Sequence, residues 1–331
     1  MACLFFGTST AELVPLGIIP ANLYLAITTA NQIAPYVKEG VAIDSAAGEL
    51  AVTQPLSAAV ADGWVSWYSQ HTSASSYATM EVSANGLGLF RVTANGANFK
   101  IQYHNNTSWQ NSGTQFAFTL GATTRFDFHF VIHDTTGTLT LYINGVEKTS
   151  TTFAAGDTLL RGESQATDIS YGPTGAASLN DNFLSALMVH DADTRPMHYV
   201  QRAIDGAGGE TDWSGAYTNI DETGAVDTDL IQAGTNADKS TFTFAALPAS
   251  LNSGWAVVGL GVNARASTGA TGPDNLQLAA RHSATNGFSA SKALGTTFLP
   301  YQHVFPLNPS TSLAWTFAEV DAAEVGVQAI T

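Results

Sequence analysis

The chain has 331 residues, with 12 Lys and Arg against 27 Asp and Glu, and a formal net charge of −15 at pH 7. Only 12% of its residues are charged and 45% are hydrophobic, which excludes a disordered acidic tail, a coiled coil and a basic nucleic-acid binder. Because so acidic a chain is repelled by phosphate backbones and by anionic lipid, we expect neither a nucleic acid nor a membrane as its partner.

Residues 1–40 form an unusually apolar N-terminal segment. The stretch 13–27 is broken by Pro15 and Pro20 and is too short to span a bilayer. No basic residue precedes Lys38, so we expect no classical secretory signal. Left in water the segment would be a sticky patch, so it either packs as an edge strand or docks onto a neighbouring subunit, and we favour docking. The residues expected to dock are Leu4, Phe5, Phe6, Leu13, Ile18 and Ile19.

In residues 41–200, apolar and polar side chains alternate as they do in half-buried strands. In 126–132 apolar and polar residues alternate with a period of two. After the predicted strand 139–143 comes Asn144-Gly145, which tolerates positive φ at both positions and predicts a tight hairpin. Strands that recur every 8–12 residues predict a two-sheet sandwich. The other predicted strands are 64–68, 77–82, 87–92, 99–103, 116–120, 146–152 and 183–190.

The C-terminal part begins with an acidic, glycine-interrupted stretch, 201–235, which we interpret as a connection between two domains. Thr316 and Glu319 form a capping box that predicts one short helix, with Gly326 as its stop and a closing strand over 327–330. The fold class is therefore all-β, a sandwich followed by a second β-rich domain with one short C-terminal helix. Within the second domain, 236–331, strands are predicted at 240–244, 255–265, 275–282 and 298–305.

Two segments resemble known families. The run 126–149, FDFHFVIHDTTGTLTLYINGVEKT, resembles the signature of concanavalin A-like jelly rolls of the laminin G and pentraxin type. The C-terminal part from about 205, and above all 315–330, is similar in order and spacing to a domain of tailed-bacteriophage and prophage structural proteins. The two resemblances imply a concanavalin A-like jelly-roll domain at 41–200 followed by a phage-type domain at 236–331. They bring no catalytic residue with them.

Two polar-aromatic segments are candidates for carbohydrate binding. Tyr103, His104 and Trp109 stand among Asn and Gln residues, and Trp67 lies in a second such segment. Aromatic rings with polar neighbours suit stacking on a sugar face, but the same side chains also suit packing in a core or an interface. Both interpretations remain open at this point.

Metal binding has two candidate sets. Asp221, Glu222, Asp227 and Asp229 offer oxygen ligands for Ca²⁺, which concanavalin A-like domains often carry at loops, and a solvated acidic loop is the alternative. Asp127, His129 and His133 lie on one face of a strand, where a zinc site would need closer spacing, so a polar outer face is favoured.

No catalytic constellation is present in the sequence. There is no Gly-x-Ser-x-Gly elbow and no pair of carboxylates suited to glycoside hydrolysis, and the single cysteine is Cys3. Together with this absence, the C-terminal resemblance implies a non-enzymatic structural component of a tailed-phage virion, an appendage or decoration on the tail, baseplate or capsid.

Such a component would be assembled in the host cytoplasm. We expect it to form a homo-oligomer and to contact other virion proteins and host surface polysaccharide. No cofactor is expected, and Ca²⁺ is the one open candidate. The alternative function is a carbohydrate-binding, lectin-like module that acts as a receptor binder.

Overall fold

The computed structural model divides the chain into two units, one ending at Val200 and the other comprising Gln201–Thr331. Its regular structure is almost entirely antiparallel β, so the predicted all-β class is confirmed. Among the described residues no helix is long and apolar enough to cross a membrane. The structure describes residues 3–7, 41–43, 52–71, 77–95, 98–149, 153–171, 182–221, 227–248, 251, 255–270 and 272–331.

The first unit is a sandwich of two antiparallel sheets. The first sheet has the order β1-β14-β4-β9-β10-β11, with β2 beside β14 and β12 beside β10, and the second has the order β3-β13-β5-β6-β7-β8. In chain order the strands are β1 (Cys3–Gly7), β2 (Val41–Ile43), β3 (Val52–Val60), β4 (Asp62–His71), β5 (Tyr77–Ala84), β6 (Leu87–Asn95), β7 (Asn98–His104), β8 (Trp109–Ala117), β9 (Thr123–Val131), β10 (Gly137–Ile143), β11 (Val146–Glu147), β12 (Phe153–Gly156), β13 (Ala166–Tyr171) and β14 (Asn182–His190).

The core of this unit lies between the two sheets. Phe126, Phe128 and Phe130 of β9 are fully buried there against residues of the other sheet, so the period-two prediction for this strand is confirmed. Asn144 and Gly145 both have positive φ, 49° and 78°, as the predicted hairpin requires. Alternation along each strand thus leaves every second side chain on an outer face of the sandwich.

Two predicted strands of this unit are misplaced. The strand expected at 116–120 is β8, which begins earlier, at Trp109, and pairs with β7. Because β8 is an edge strand and only Ser112 on it is buried, its apolar pattern is weak. The strand expected at 146–152 is only Val146–Glu147.

The N-terminal docking prediction is wrong for Phe6. Strand β1 pairs with β14, and Phe6 is only 4% exposed, with its ring 5.7 Å from the ring of Tyr199. For residues 3–7 the edge-strand alternative holds, because β1 pairs with β14 at the end of the sheet. Leu4 and Phe5 lie in β1, and their side chains are outside the described ones; Leu13, Ile18 and Ile19 lie outside the described residues.

The second unit contains a larger antiparallel sheet of order β15-β16-β22-β18-β19, with β20 beside β18, and a separate pair β17-β21. Its core gathers Leu276, Leu278, Phe305, Trp315 and Val320. Its elements are β15 (Ile204–Thr211), β16 (Lys239–Phe244), β17 (Leu260–Ala266), β18 (Asn275–His282), β19 (Thr285–Phe288), β20 (Lys292–Ala293), β21 (Leu299–Phe305), α1 (Phe317–Asp321) and β22 (Glu324–Ile330).

The stretch 201–235 is not simply a connection. Its residues Ile204–Thr211 form β15, which pairs with β16 as part of the second unit's sheet. A side chain at Gly208 would lie 2.6 Å from the backbone carbon of Thr241, so this glycine permits close packing inside a strand. The glycines therefore mark a close approach and not a linker.

The capping-box prediction is confirmed. Thr316 Oγ1 accepts a hydrogen bond from the Glu319 backbone at 3.2 Å, and the Thr316 backbone donates to Glu319 Oε2 at 2.8 Å. Gly326, however, does not end the helix, which stops at Asp321. Gly326 lies inside β22, where a Cβ atom would collide with the Ser240 carbonyl oxygen. Its role is to let two strands approach.

Candidate functional site

The outer face of the second sheet of the first unit carries a row of polar side chains. In register, Glu81 of β5 lies beside Arg91 of β6, Arg91 beside Gln102 of β7, and Gln102 beside Asn111 of β8. Arg91 Nε donates to Gln102 Oε1 at 2.8 Å, and Gln102 Nε2 donates to Asn111 Oδ1 at 2.9 Å. Because their strand neighbours point into the core, these four side chains point outward.

An aromatic pair borders this row. The ring of Trp109 is partly exposed and meets the ring of His104 edge-on, with centroids 5.2 Å apart. The Arg91 guanidinium lies over the Trp109 ring, 4.0 Å from its centroid. Gly88 makes room beneath, since a Cβ there would collide with the Glu81 carboxyl group and lie 2.9 Å from Trp109 Cζ2. The tryptophan is therefore held in place from below and from the side.

Arg161 joins the row from a short 3₁₀ turn, Leu160–Gly162. Its Nε donates to His104 Nδ1 at 3.1 Å, and its backbone N donates to Asn106 Oδ1 at 2.7 Å. Arg161 and Asn106 both have left-handed backbones, with φ of 57° and 70°. Non-glycine residues in this region cost about 1–3 kcal/mol each and concentrate at functional sites. We call the set the polar face: Glu81, Arg91, Gln102, His104, Trp109, Asn111 and Arg161.

Three groups of the polar face, Glu81, Arg91 and His104, have shifted pKa values. Burial raises the pKa of Glu81 above its ordinary value, and the positive charge of Arg91 only partly offsets this. Burial, followed by the charges of Arg161 and Arg91, lowers the pKa of His104. Burial also lowers the pKa of Arg91, and the negative charge of Glu81 only partly offsets this. All three shifts favour the neutral form of the group.

Two of the four predicted sugar-binding residues, His104 and Trp109, lie on the polar face. The structure removes the other two. Tyr103 points to the opposite side of β7, packs against the core and meets the Phe153 ring edge-on at 5.2 Å. Trp67 is only 1% exposed and stacks on Phe126 at 5.0 Å, so its ring faces are covered.

Sequence reasoning missed Glu81, Arg91, Gln102, Asn111 and Arg161. Polar residues in the middle of alternating strands were the available signal for Arg91 and Gln102. Arg161 had no such signal, because it is 57 residues from His104 along the chain and lies in a loop.

The predicted calcium site is not assembled among the described residues. Asp227 is paired with the Arg265 guanidinium through both carboxylate oxygens, at 2.6 and 2.9 Å, which lowers its pKa. Asp229 accepts a hydrogen bond from Asn219 at 2.6 Å. Glu222 lies outside the described residues, and Asp221 is described without a metal-binding cluster around it. In this arrangement the guanidinium group of Arg265 occupies both carboxylate oxygens of Asp227.

The outer face of the first sheet differs from the exposed polar surface that was expected. Asp127 is completely buried and accepts hydrogen bonds from Arg125 and from Thr194 Oγ1, the latter at 3.0 Å. Arg125 also donates to the carbonyl oxygens of Thr194 and Met197. We call this the closed face, because the chain around Thr194 and Met197 folds across the ion pair.

The zinc alternative also fails on this face. His129 Nε2 contacts Asp62 Oδ1 at 2.8 Å, and its ring stacks on Trp64 at 4.3 Å. His133 contacts Asp134 at 3.0 Å instead of reaching His129. No group of three or more His, Cys, Asp or Glu residues in the described part of the chain is placed to hold a metal ion.

Comparison with known proteins gives distant structural similarity only. No family model and no curated protein matches the sequence. A native heptameric SAP-like pentraxin from Limulus polyphemus is 17% identical over 43% of this chain and 69% of its own, with a TM-score of 0.31. Sheep galectin-11 is 13% identical over 43% of this chain and 98% of its own, with a TM-score of 0.31. Galectin LEC-6 from Caenorhabditis elegans is 13% identical over 44% of this chain and 95% of its own, with a TM-score of 0.31.

Proposed function

We propose that the first unit binds a carbohydrate through the polar face. The observation that carries the proposal is the partly exposed Trp109 ring beside a row of amide, carboxyl and guanidinium groups. Sugars present apolar CH faces and many hydroxyl groups, which an aromatic ring and fixed polar side chains complement. The hydrogen bonds between Arg91, Gln102 and Asn111 hold these groups in place before a ligand arrives.

The proposal involves binding alone, without a catalytic step or a cofactor. Trp109 and Asn111 lie on the edge strand β8, which leaves one side of the face open to a long glycan chain. Asn111 is exposed and Trp109 is partly exposed, so both can contact a ligand without any rearrangement of the core.

A glycan array with the full-length protein tests this proposal. We expect wild type to bind a subset of polysaccharides, and Trp109→Ala to lower the affinity at least about tenfold, the loss of roughly one stacking contact. Phe288→Ala is the matched control, because it removes an exposed aromatic ring from the second unit. Absence of glycan binding, or equal loss in both variants, would contradict the proposal.

The sequence resemblance of 315–330 to tailed-phage structural proteins supports a second proposal. In it, the chain is a virion component, an appendage on the tail, baseplate or capsid, and several copies together bind host polysaccharide by multivalency. Immunogold electron microscopy on particles purified from the source culture tests it. Gold at one fixed place on phage particles is expected; protein found only free in the culture would overturn the virion proposal and leave the carbohydrate binder.

A further inference from the structure

The chain has seven arginines, all within the described residues, and they divide into two groups. Five of them form an ion pair with a carboxylate in their own unit. Arg91 and Arg161 are the two without such an ion pair among the described residues, and both lie on the polar face. The five paired arginines are Arg125, Arg195, Arg202, Arg265 and Arg281.

A shortage of acidic side chains does not explain why Arg91 and Arg161 form no such ion pair. The chain has 27 Asp and Glu against 12 Lys and Arg, so an arginine without a carboxylate partner is unexpected in it. Glu81 is close enough to feel the charges of both Arg91 and Arg161, yet it makes no direct ion pair with either among the described contacts. Two positive charges therefore lie on one face beside the carboxyl group of Glu81.

The donors of these two guanidinium groups are only partly used. Arg91 Nε is engaged by Gln102, while its two terminal nitrogens have no hydrogen-bond acceptor among the described residues. Arg161 contacts the His104 ring through Nε and one terminal nitrogen, and its other terminal nitrogen has no described acceptor. A guanidinium fork matches the two oxygens of a carboxylate in a bidentate arrangement.

We infer that the polar face recognises a sugar that bears a carboxylate, a uronic or nonulosonic acid residue within a glycan, with Arg91 and Arg161 binding the carboxylate beside Trp109. This inference rests on the proposed carbohydrate binding and specifies its ligand class. The lowered pKa of His104 supports it, since a neutral imidazole can accept a hydrogen bond from Arg161 and adds no competing charge. The left-handed backbone of Arg161 is held by Asn106, which directs the guanidinium to this place.

Calorimetric titration at physiological salt tests the inference. The probes are oligogalacturonate, oligoglucuronate and oligosialic acid, each beside the same oligosaccharide with its carboxyl groups reduced to alcohols. We expect at least one acidic probe to bind wild type, and its reduced form to bind at least about tenfold more weakly, the effect of losing a charge-assisted hydrogen bond.

Variants assign the effect to the arginines. Arg161→Gln is expected to abolish the preference for the acidic form, and Arg161→Lys to restore part of it, since lysine keeps the charge but not the fork. Arg265→Gln, which removes the same charge from the second unit, is expected to leave the preference unchanged.

The failures of the two proposals are distinguishable. Equal binding of acidic and reduced probes, lost in Trp109→Ala, would overturn the acidic-sugar inference and keep the carbohydrate proposal. Equal binding of a sulfated analogue would overturn the carboxylate assignment. If neither these probes nor the array shows binding, the proposed function itself is wrong.

Discussion

The arginines on the two outer faces of the sandwich differ in how many of their donors have an acceptor. On the closed face, Arg125 gives its donors to Asp127 and to the carbonyl oxygens of Thr194 and Met197, and the ion pair is buried. On the polar face, Arg91 and Arg161 each have terminal nitrogens without an acceptor among the described residues. On the closed face the chain itself supplies the acceptors for the guanidinium group, whereas on the polar face we propose that another molecule supplies them.

The largest expected effect comes from breaking the closed face. Asp127→Ala leaves the Arg125 charge buried without its carboxylate, and we expect the first unit to lose about 3–5 kcal/mol of its free energy of unfolding. Asp193→Ala, which removes a partner of the partly exposed Arg195, is the control and is expected to cost less than about 1 kcal/mol after solvent screening. Urea denaturation followed by tryptophan fluorescence measures both; equal losses would show that the buried ion pair does not hold this face.

Filling the space beneath the polar face is expected to have the next largest effect. In Gly88→Ala the new methyl group must displace Glu81 or Trp109, so we expect a loss of about 1–3 kcal/mol in stability from overpacking. Glycan affinity should fall about tenfold because the tryptophan moves. The control is Gly295→Ala, whose Cβ would meet nothing within 4 Å. Unchanged glycan affinity in Gly88→Ala would show that the position of Trp109 is not important for binding.

A smaller effect is expected from the carboxyl group of the polar face. Burial raises the folded-state pKa of Glu81 above its ordinary 4.5, so its contribution to stability is lost as pH rises from about 4.5 through the folded-state pKa. Glu81→Gln removes this loss, and we expect the variant to gain stability relative to wild type between pH 4 and pH 7. Paired urea titrations at the two pH values measure it. A variant that loses stability at pH 7 would mean that attraction to Arg91 outweighs burial.

The smallest expected effect is on the titration of His104. Its pKa should lie below the ordinary 6.5, first because of burial and then because of Arg161 and Arg91. Arg161→Gln should raise the pKa but leave it below 6.5, since the burial remains. Two-dimensional NMR of the imidazole resonances measures the pKa of His104 in wild type and in Arg161→Gln. Arg265→Gln is the control and should leave this pKa unchanged. A His104 pKa that is unaffected by Arg161→Gln would contradict the contact between the two side chains.

Local patterns predicted much of the fold but little of the site. The alternation in 126–132, the Asn144-Gly145 turn and the Thr316–Glu319 capping box depend on near neighbours in the sequence, and each is observed. The bounds of the edge strand β8 were not predicted correctly, because few of its residues are buried. Tyr103 and His104 are adjacent, yet only His104 faces outward, and composition alone does not reveal which side of a strand is the core.

Alternation, turns and caps are local, so the all-β class, most strand positions and the short C-terminal helix could be predicted from the amino-acid sequence. The hydrogen bonds from Thr194 to Asp127 and from Arg161 to His104 became apparent only in the tertiary structure. The physical reason is register. Strand pairing and loop placement bring together residues far apart in the chain, and these long-range contacts determine which polar groups satisfy one another and which remain open to a ligand.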